Sequence, residues 1–222
     1  APYEFHVIED GKDKIVGFDV SLAEEIADEL DVELEIKEMD FDALITALPA
    51  GKVDMVISGM NPTEKRKKAV DFSDIYYTAN HGILVRAEDA DKYTNFSDLD
   101  GLKVGAQLGS TQAELASTLI KDADFQLLSN VNNLILELKS GKVDAVVMEV
   151  GVAQMAVKNN PELAVGKPVY EETEGGNAVA IAKGNKDLVN VVNKVISRVV
   201  EDGTMNKYIE EATILSSEAV EE

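Results

Sequence analysis

Arg66 is the residue whose chemistry is easiest to state. It closes the stretch Ser58-Gly59-Met60-Asn61-Pro62-Thr63-Glu64-Lys65-Arg66. A guanidinium there offers a planar fork of donors suited to a carboxylate. Gly59 lets backbone approach a guest closely, because no Cβ intervenes. Asn61 reads as a helix cap, Pro62 as the first helical residue and Glu64 as a capping-box partner. That pattern predicts amide N–H groups gathered at the C-terminal end of a strand, an anion seat. By itself the stretch also fits a plain strand–helix joint with a surface arginine. A second stretch, Gln107-Leu108-Gly109-Ser110-Thr111-Gln112, repeats the design with hydroxyls, Thr111 reading as the cap and Glu114 following three residues on. Glu149 adds a carboxylate just past the expected strand 143–148. Held across a shared cleft, Arg66 on one side and Glu149 on the other would match a free zwitterion.

The elements that must position these groups follow from periodicity. Residues 1–8 and 15–18 read as a hairpin around Asp10-Gly11. Asp19 caps a helix with Val20, Leu22, Ala23, Ile26 and Leu30 on one face. Residues 32–36 alternate apolar and acidic and predict a half-buried strand. A helix over 41–48 ends at Pro49 and Gly51, and a strand over 53–58 feeds the Arg66 stretch. Residues 70–77 read as irregular or extended, and 82–85 as a strand. A second series follows, with strands at 102–106, 125–128, 143–148, 163–166 and 177–182. Helices at 111–120, 131–138, 151–158, 188–202 and 206–212 separate or follow them, and a polar, frayed tail is expected over 216–222. Strands alternating with helices predict mostly parallel sheets whose ligands bind beyond the strand C-termini.

The Gly-Lys-Val-Asp of residues 51–54 recurs at 141–144, in each case between a helix and an apolar strand. The surrounding order of elements recurs too, which favours a duplicated architecture over chance. Net charge is −21, which argues against nucleic acid and anionic membrane as partners, since both need a basic face. The chain has no cysteine, so disulfide and thiolate chemistry are excluded. His6 and His81 are far apart and outside both stretches, so no metal, cofactor or catalytic cluster is expected. No apolar run approaches the roughly 20 residues of a membrane span. No leader is visible, which a mature exported chain would also lack.

Taken together, these landmarks resemble the polar amino-acid-binding proteins of ABC uptake systems, extracellular solute-binding family 3. The resemblance runs through Asp10-Gly11, Gly17-Phe18-Asp19, Asp40-Phe41-Asp42-Ala43-Leu44, the Ser58–Arg66 stretch, Val70-Asp71-Phe72-Ser73, Gly109-Ser110-Thr111-Gln112 and Gly203-Thr204-Met205. It implies a two-lobed periplasmic-binding-protein-like α/β fold, with two mixed, mostly parallel sheets, flanking helices and a two-strand hinge. Lobe 1 would be residues 1–85 with 182–222, and lobe 2 residues 88–178. It implies extracytoplasmic capture of an amino acid, polar or basic, and delivery to an ABC permease by a monomer without cofactor. Arg66 is similar to the family's carboxylate clamp, with Ser58, Gly59, Met60 and Asn61 beside it. Ser110 and Thr111 match the second-lobe seat, and Glu149 matches an aspartate that holds the ammonium, one methylene longer here. Phe41, Gln107 and Met148 match positions near the ligand's side chain. The family also carries a strand before Ala1, central in the first sheet, that this sequence lacks. An enzyme on the same scaffold, such as a small-acid dehydratase using Glu149, and a sensor module are the alternatives.

Overall fold

Asp10 and Gly11 both take positive φ, 52° and 72°, and close the hairpin that an Asp-Gly pair predicts. The computed structural model that shows this describes residues 1–173 and 175–218. In chain order the first elements are β1 (Phe5–Glu9), β2 (Lys12–Val16), α1 (Phe18–Leu30), a 3-10 turn (Phe41–Ala43), α2 (Leu44–Ala47) and β3 (Met55–Val56). Next come α3 (Glu64–Lys67), β4 (Val70–Tyr77), β5 (His81–Arg86), β6 (Lys103–Gln107), α4 (Thr111–Leu119) and β7 (Asp124–Leu128). The chain continues through α5 (Val131–Lys139), β8 (Ala145–Glu149), α6 (Val150–Asn159), β9 (Leu163–Tyr170), β10 (Asn177–Ala182), α7 (Lys186–Glu201) and α8 (Thr204–Glu218). No helix among the described residues is long and apolar enough to cross a membrane.

The chain divides into two compact units. The first takes Ala1–Met39, Ala43–Thr78 and the described residues beyond Thr173; the second takes Asp40–Asp42 and Ala79–Thr173. In the first unit, β10 lies between β3 and β4 and is antiparallel to both. Ala178, Val179, Ala180 and Ile181 of β10 are fully buried. The apolar stripe Val189, Val192, Val195, Ile196 and Val199 of α7 is buried at helical spacing, as is Phe18, Leu22 and Ile26 of α1. Each fully buried side chain of this kind contributes about 1.5–3 kcal/mol before conformational entropy is charged.

In the second unit the strand order is β7-β6-β8-β5-β9. β6 runs parallel to β7 and β8, while β5 is antiparallel to β8 and β9. Both faces of this sheet are covered, so its strands read as unbroken apolar runs. Ile83, Val85 and Val147 pack with Leu99, Ala116 and Ile120. Leu84, Val146 and Met148 pack on the other side with Leu134, Leu138 and Leu163.

One sequence expectation changes here and another is narrowed. Residues 32–40 form no strand, and Val32 and Ile36 are 58% and 43% exposed. An alternating pattern becomes a strand only against a partner, and no described strand pairs with this one. Residues 70–77, read as irregular or extended, are extended: they form the eight-residue β4. Its pattern was obscured by register shifts against β10, between Asn177 and Ala178 and again between Ala178 and Ala180. Of the tail expected to fray, Ser216 is buried within α8, and residues 219–222 lie outside the described residues.

The strandless segment is held by charge. His6 on β1 reaches Asp13 through Nδ1 at 2.8 Å and Glu38 through Nε2 at 2.7 Å. Both ring nitrogens can donate only in the imidazolium, and the hydrogen bonds to Asp13 and then Glu38 raise the His6 pKa above its ordinary value. A raised folded pKa means this stabilisation is complete below the unfolded pKa and disappears as pH rises through the folded one. His6→Gln should therefore lower the melting temperature at pH 6 and match the parent at pH 9. Solvent screening of a half-exposed ring limits the difference to about 3 °C. Melting curves of both proteins at the two pH values check this.

Candidate functional site

In the first unit, the Arg66 stretch is pinned at both ends. Gly59 sits at φ 53°, and its N–H donates to Asp19 Oδ2 at 2.9 Å. The Tyr76 hydroxyl donates to the same oxygen at 3.0 Å. Burial, followed by the nearby Asp19 charge, pushes the Tyr76 pKa well up, so the hydroxyl remains a donor. The Gly59 amide thus serves a carboxylate of the protein itself, where the sequence predicts an amide open to a guest. Asp19 is not the cap of α1; Gly17 is, and Asp19 turns inward at 2% exposure. The Met60 side chain is fully buried and its carbonyl accepts from Ala178 N–H at 2.9 Å. Ser58 Oγ donates to Glu4 Oε1 at 2.8 Å.

The predicted cap is also displaced. Thr63, not Asn61, caps α3, its Oγ1 accepting from Arg66 N–H at 3.3 Å. Thr63 N–H first bonds back to Asn61 O at 3.0 Å, which holds Pro62 in a turn and delays the helix. α3 has four residues, too few for a macrodipole of any weight, which leaves positive charge in this helical turn to its side chains, the guanidinium among them. Arg66 Nη1 donates to Asn61 O at 2.8 Å, and Asn61 Nδ2 donates to Gly176 O at 3.1 Å. Side chain and backbone of Arg66 are therefore both tethered to the loop that precedes them.

In the second unit, Ser110 rather than Thr111 caps α4. Its Oγ accepts from Ala113 N–H at 3.1 Å and donates to Gln107 O at 2.7 Å. Thr111 is thereby the first helical residue, in the turn whose amides have no carbonyl of their own helix to meet. Gln107 Nε2 donates to Ser129 O at 3.0 Å. Gly109 takes φ 77°, and a Cβ there would come 3.1 Å from Asp42 Cβ, so the Phe41-Asp42 segment runs against this turn. Met148 is 5% exposed and belongs to the core.

Glu149 ends β8 and is 6% exposed. Its register partner is His81 of β5, so the two side chains share one face of the sheet. His81 is 3% exposed, with Nδ1 3.2 Å from Gln112 Nε2 and Nε2 3.7 Å from Glu172 Oε2. The Gln112 amide carries hydrogens, so Nδ1 accepts and the ring proton sits on Nε2, toward Glu172. Burial lowers the His81 pKa below its ordinary value, and Glu172 opposes that shift. His81 and Glu172 were not legible as site residues, because only strand register sets His81 beside Glu149. Ser58, Gly59, Asn61 and Arg66 thus gather in the first unit, and Gln107, Ser110, Thr111 and Glu149 in the second.

Residues 1–212 match the family model described as bacterial extracellular solute-binding proteins, family 3. The chain is 40% identical over 198 residues to the arginine-binding extracellular protein ArtP of Bacillus subtilis, covering 88% of this chain and 76% of that one. It is 37% identical over 193 residues to a probable histidine-binding protein of Campylobacter jejuni, covering 86% and 73%. Among solved structures, the amino acid ABC transporter substrate-binding protein AbpA of Streptococcus pneumoniae, bound to L-arginine, superposes with a TM-score of 0.93 at 42% identity. That match covers 97% of this chain and 91% of AbpA.

Proposed function

Since the chain belongs to the bacterial extracellular solute-binding proteins, family 3, we propose that the amino acid it captures for ABC transport is arginine. The observation that carries this reading is the L-arginine in the Streptococcus pneumoniae relative, a chain of closely similar fold. The net charge of −21 agrees with a cationic guest. The relatives are substrate-binding proteins and not enzymes, so the dehydratase alternative is dropped.

In this reading Arg66 takes the ligand's carboxylate, and the Thr111 amide, positioned by the Ser110 cap, shares it. Glu149 takes the α-ammonium. Ser58, Gly59, Met60 and Asn61 border the carboxylate seat, and Phe41 and Gln107 border the side chain. The ligand's differential affinity for the loaded state drives capture. The loaded form is handed to a membrane permease.

A melting-temperature screen across the twenty amino acids tests the specificity. A ligand at a hundred times its Kd adds about 2.7 kcal/mol, which for a chain of this length is roughly 5–10 °C. Arginine should give the largest rise. A larger rise with glutamate, histidine or a small apolar amino acid would overturn the assignment.

A further inference from the structure

Within the second unit, an imidazole stands among carboxylates where the ligand's ammonium is placed. Glu149 comes from β8, His81 from β5 and Tyr170 from β9, their Cα positions paired across the ladder. Glu172 follows β9, and Gln112 of α4, a neutral group, completes the surround. Residues directly opposite in an antiparallel pair have Cβ atoms about 4.5–5.5 Å apart. A charge on His81 would therefore sit beside the Glu149 carboxylate, two buried groups at 3% and 6% exposure.

We propose that His81 tunes the affinity of the ammonium seat: neutral, it leaves the cation's place beside Glu149 open to the ligand, and protonated, it competes for it. This rests on the assignment of the ammonium to Glu149. The Gln112–His81 hydrogen bond ties the imidazole to the same helix whose first turn carries Ser110 and Thr111, so the ring's protonation state is read at the seat. Because burial lowers the His81 pKa, the protonated form gains only on the acid side of the ordinary histidine value. Ligand affinity should therefore be level near pH 7.5 and fall as pH drops through the His81 pKa. By reciprocity, a bound ammonium must lower that pKa further.

The test is arginine titration calorimetry between pH 7.5 and pH 5.0 on the parent, His81→Gln and Glu149→Gln. The parent should lose about fivefold or more in affinity over that range, and His81→Gln should lose less than about half as much on a logarithmic scale. A parent-like slope in His81→Gln overturns the proposal. If Glu149→Gln binds arginine as tightly as the parent, the ammonium seat itself is misplaced and the proposal falls with it. If Glu149→Gln loses binding while His81→Gln keeps the parent's slope, only the histidine's role fails. A second readout does not depend on any His81 variant. The chain has two histidines, so in His6→Gln the remaining imidazole's carbon-bound proton resonances report His81. Its titration should move to lower pH when arginine is bound, and an unmoved titration overturns the proposal.

Discussion

Replacing Arg66 with alanine is expected to weaken arginine binding by roughly thirtyfold or more. The loop holds the guanidinium ready in advance. Nη1 is fixed on Asn61 O at 2.8 Å, and the residue's own N–H is fixed on the Thr63 hydroxyl at 3.3 Å. A donor held in place before the ligand arrives loses little side-chain entropy on binding. Truncating one member of a desolvated charge pair costs about 2–5 kcal/mol, and every 1.4 kcal/mol is about tenfold in Kd. Arg66→Lys keeps the charge but not the planar fork, and should fall between alanine and the parent. Stability separates this loss from unfolding. Arg66→Ala gives up, among its contacts, the hydrogen bond to Asn61 O beside a four-residue helix; at about 1 kcal/mol, that bond by itself lowers the ligand-free melting temperature by about 2–4 °C. Calorimetry that finds arginine bound to Arg66→Ala as tightly as to the parent would show the clamp to be wrongly assigned.

What could be read from the sequence was whatever depends on neighbours along the chain. The Asp10-Gly11 hairpin, the α7 stripe and the apolar strands of the second unit all carry local signals, and they form where expected. The Gly-Lys-Val-Asp repeat was informative in part. Gly51 and Gly141 both take positive φ, 64° and 73°, and a strand follows each. Yet β3 is two residues long and pairs antiparallel with β10, while β8 has five residues and runs parallel to β6. What stayed hidden depends on partners distant in sequence. Residues 32–36 have the pattern of a strand and no described strand beside them. Caps slipped by one or two positions because Asn61 and Thr63, or Ser110 and Thr111, compete for the same role, and only the path of the backbone decides. Asp19 resembles a cap because Asp often is one; its real partners, Gly59 and Tyr76, lie 40 and 57 positions away. His81 escapes notice for the same reason, since nothing in its local sequence discloses its register with Glu149.

Gly17→Ala is expected to be the most destabilising of these substitutions, by about 3–5 kcal/mol. Gly17 caps α1 at φ 139°, a conformation strained for any residue with a Cβ, which alone costs about 1–3 kcal/mol. A Cβ there would also fall 2.0 Å from Tyr3 O, 2.6 Å from Tyr3 C and 2.9 Å from Glu4 Cα. All three are backbone atoms, so no side-chain rotation relieves the overlap and the N-terminal segment must move. That segment accepts hydrogen bonds from Phe18 N–H at Pro2 O, 3.2 Å, and from Asp19 N–H at Tyr3 O, 3.1 Å. Their loss adds about 1 kcal/mol each. The Tyr3 ring packs 4.5 Å from the Phe18 ring, and its hydroxyl accepts from Asn177 Nδ2 at 2.8 Å. Gly11→Ala is the matched comparison. It too has positive φ, 72°, but nothing lies within 4 Å of where its new methyl group would stand, so it should show strain without collision. For a chain of this length, the Gly17→Ala loss corresponds to a melting point lower by roughly 6–20 °C, against a few degrees for Gly11→Ala. Tyr3 also lies under Gly59, its ring 3.4 Å from where a Cβ on Gly59 would be. Displacing Tyr3 should therefore disturb the Arg66 loop as well, and Gly17→Ala should bind arginine more weakly even below its melting point. Gly17→Ala melting within about 2 °C of Gly11→Ala would mean that the N-terminal segment yields freely, and that its packing does not hold the loop.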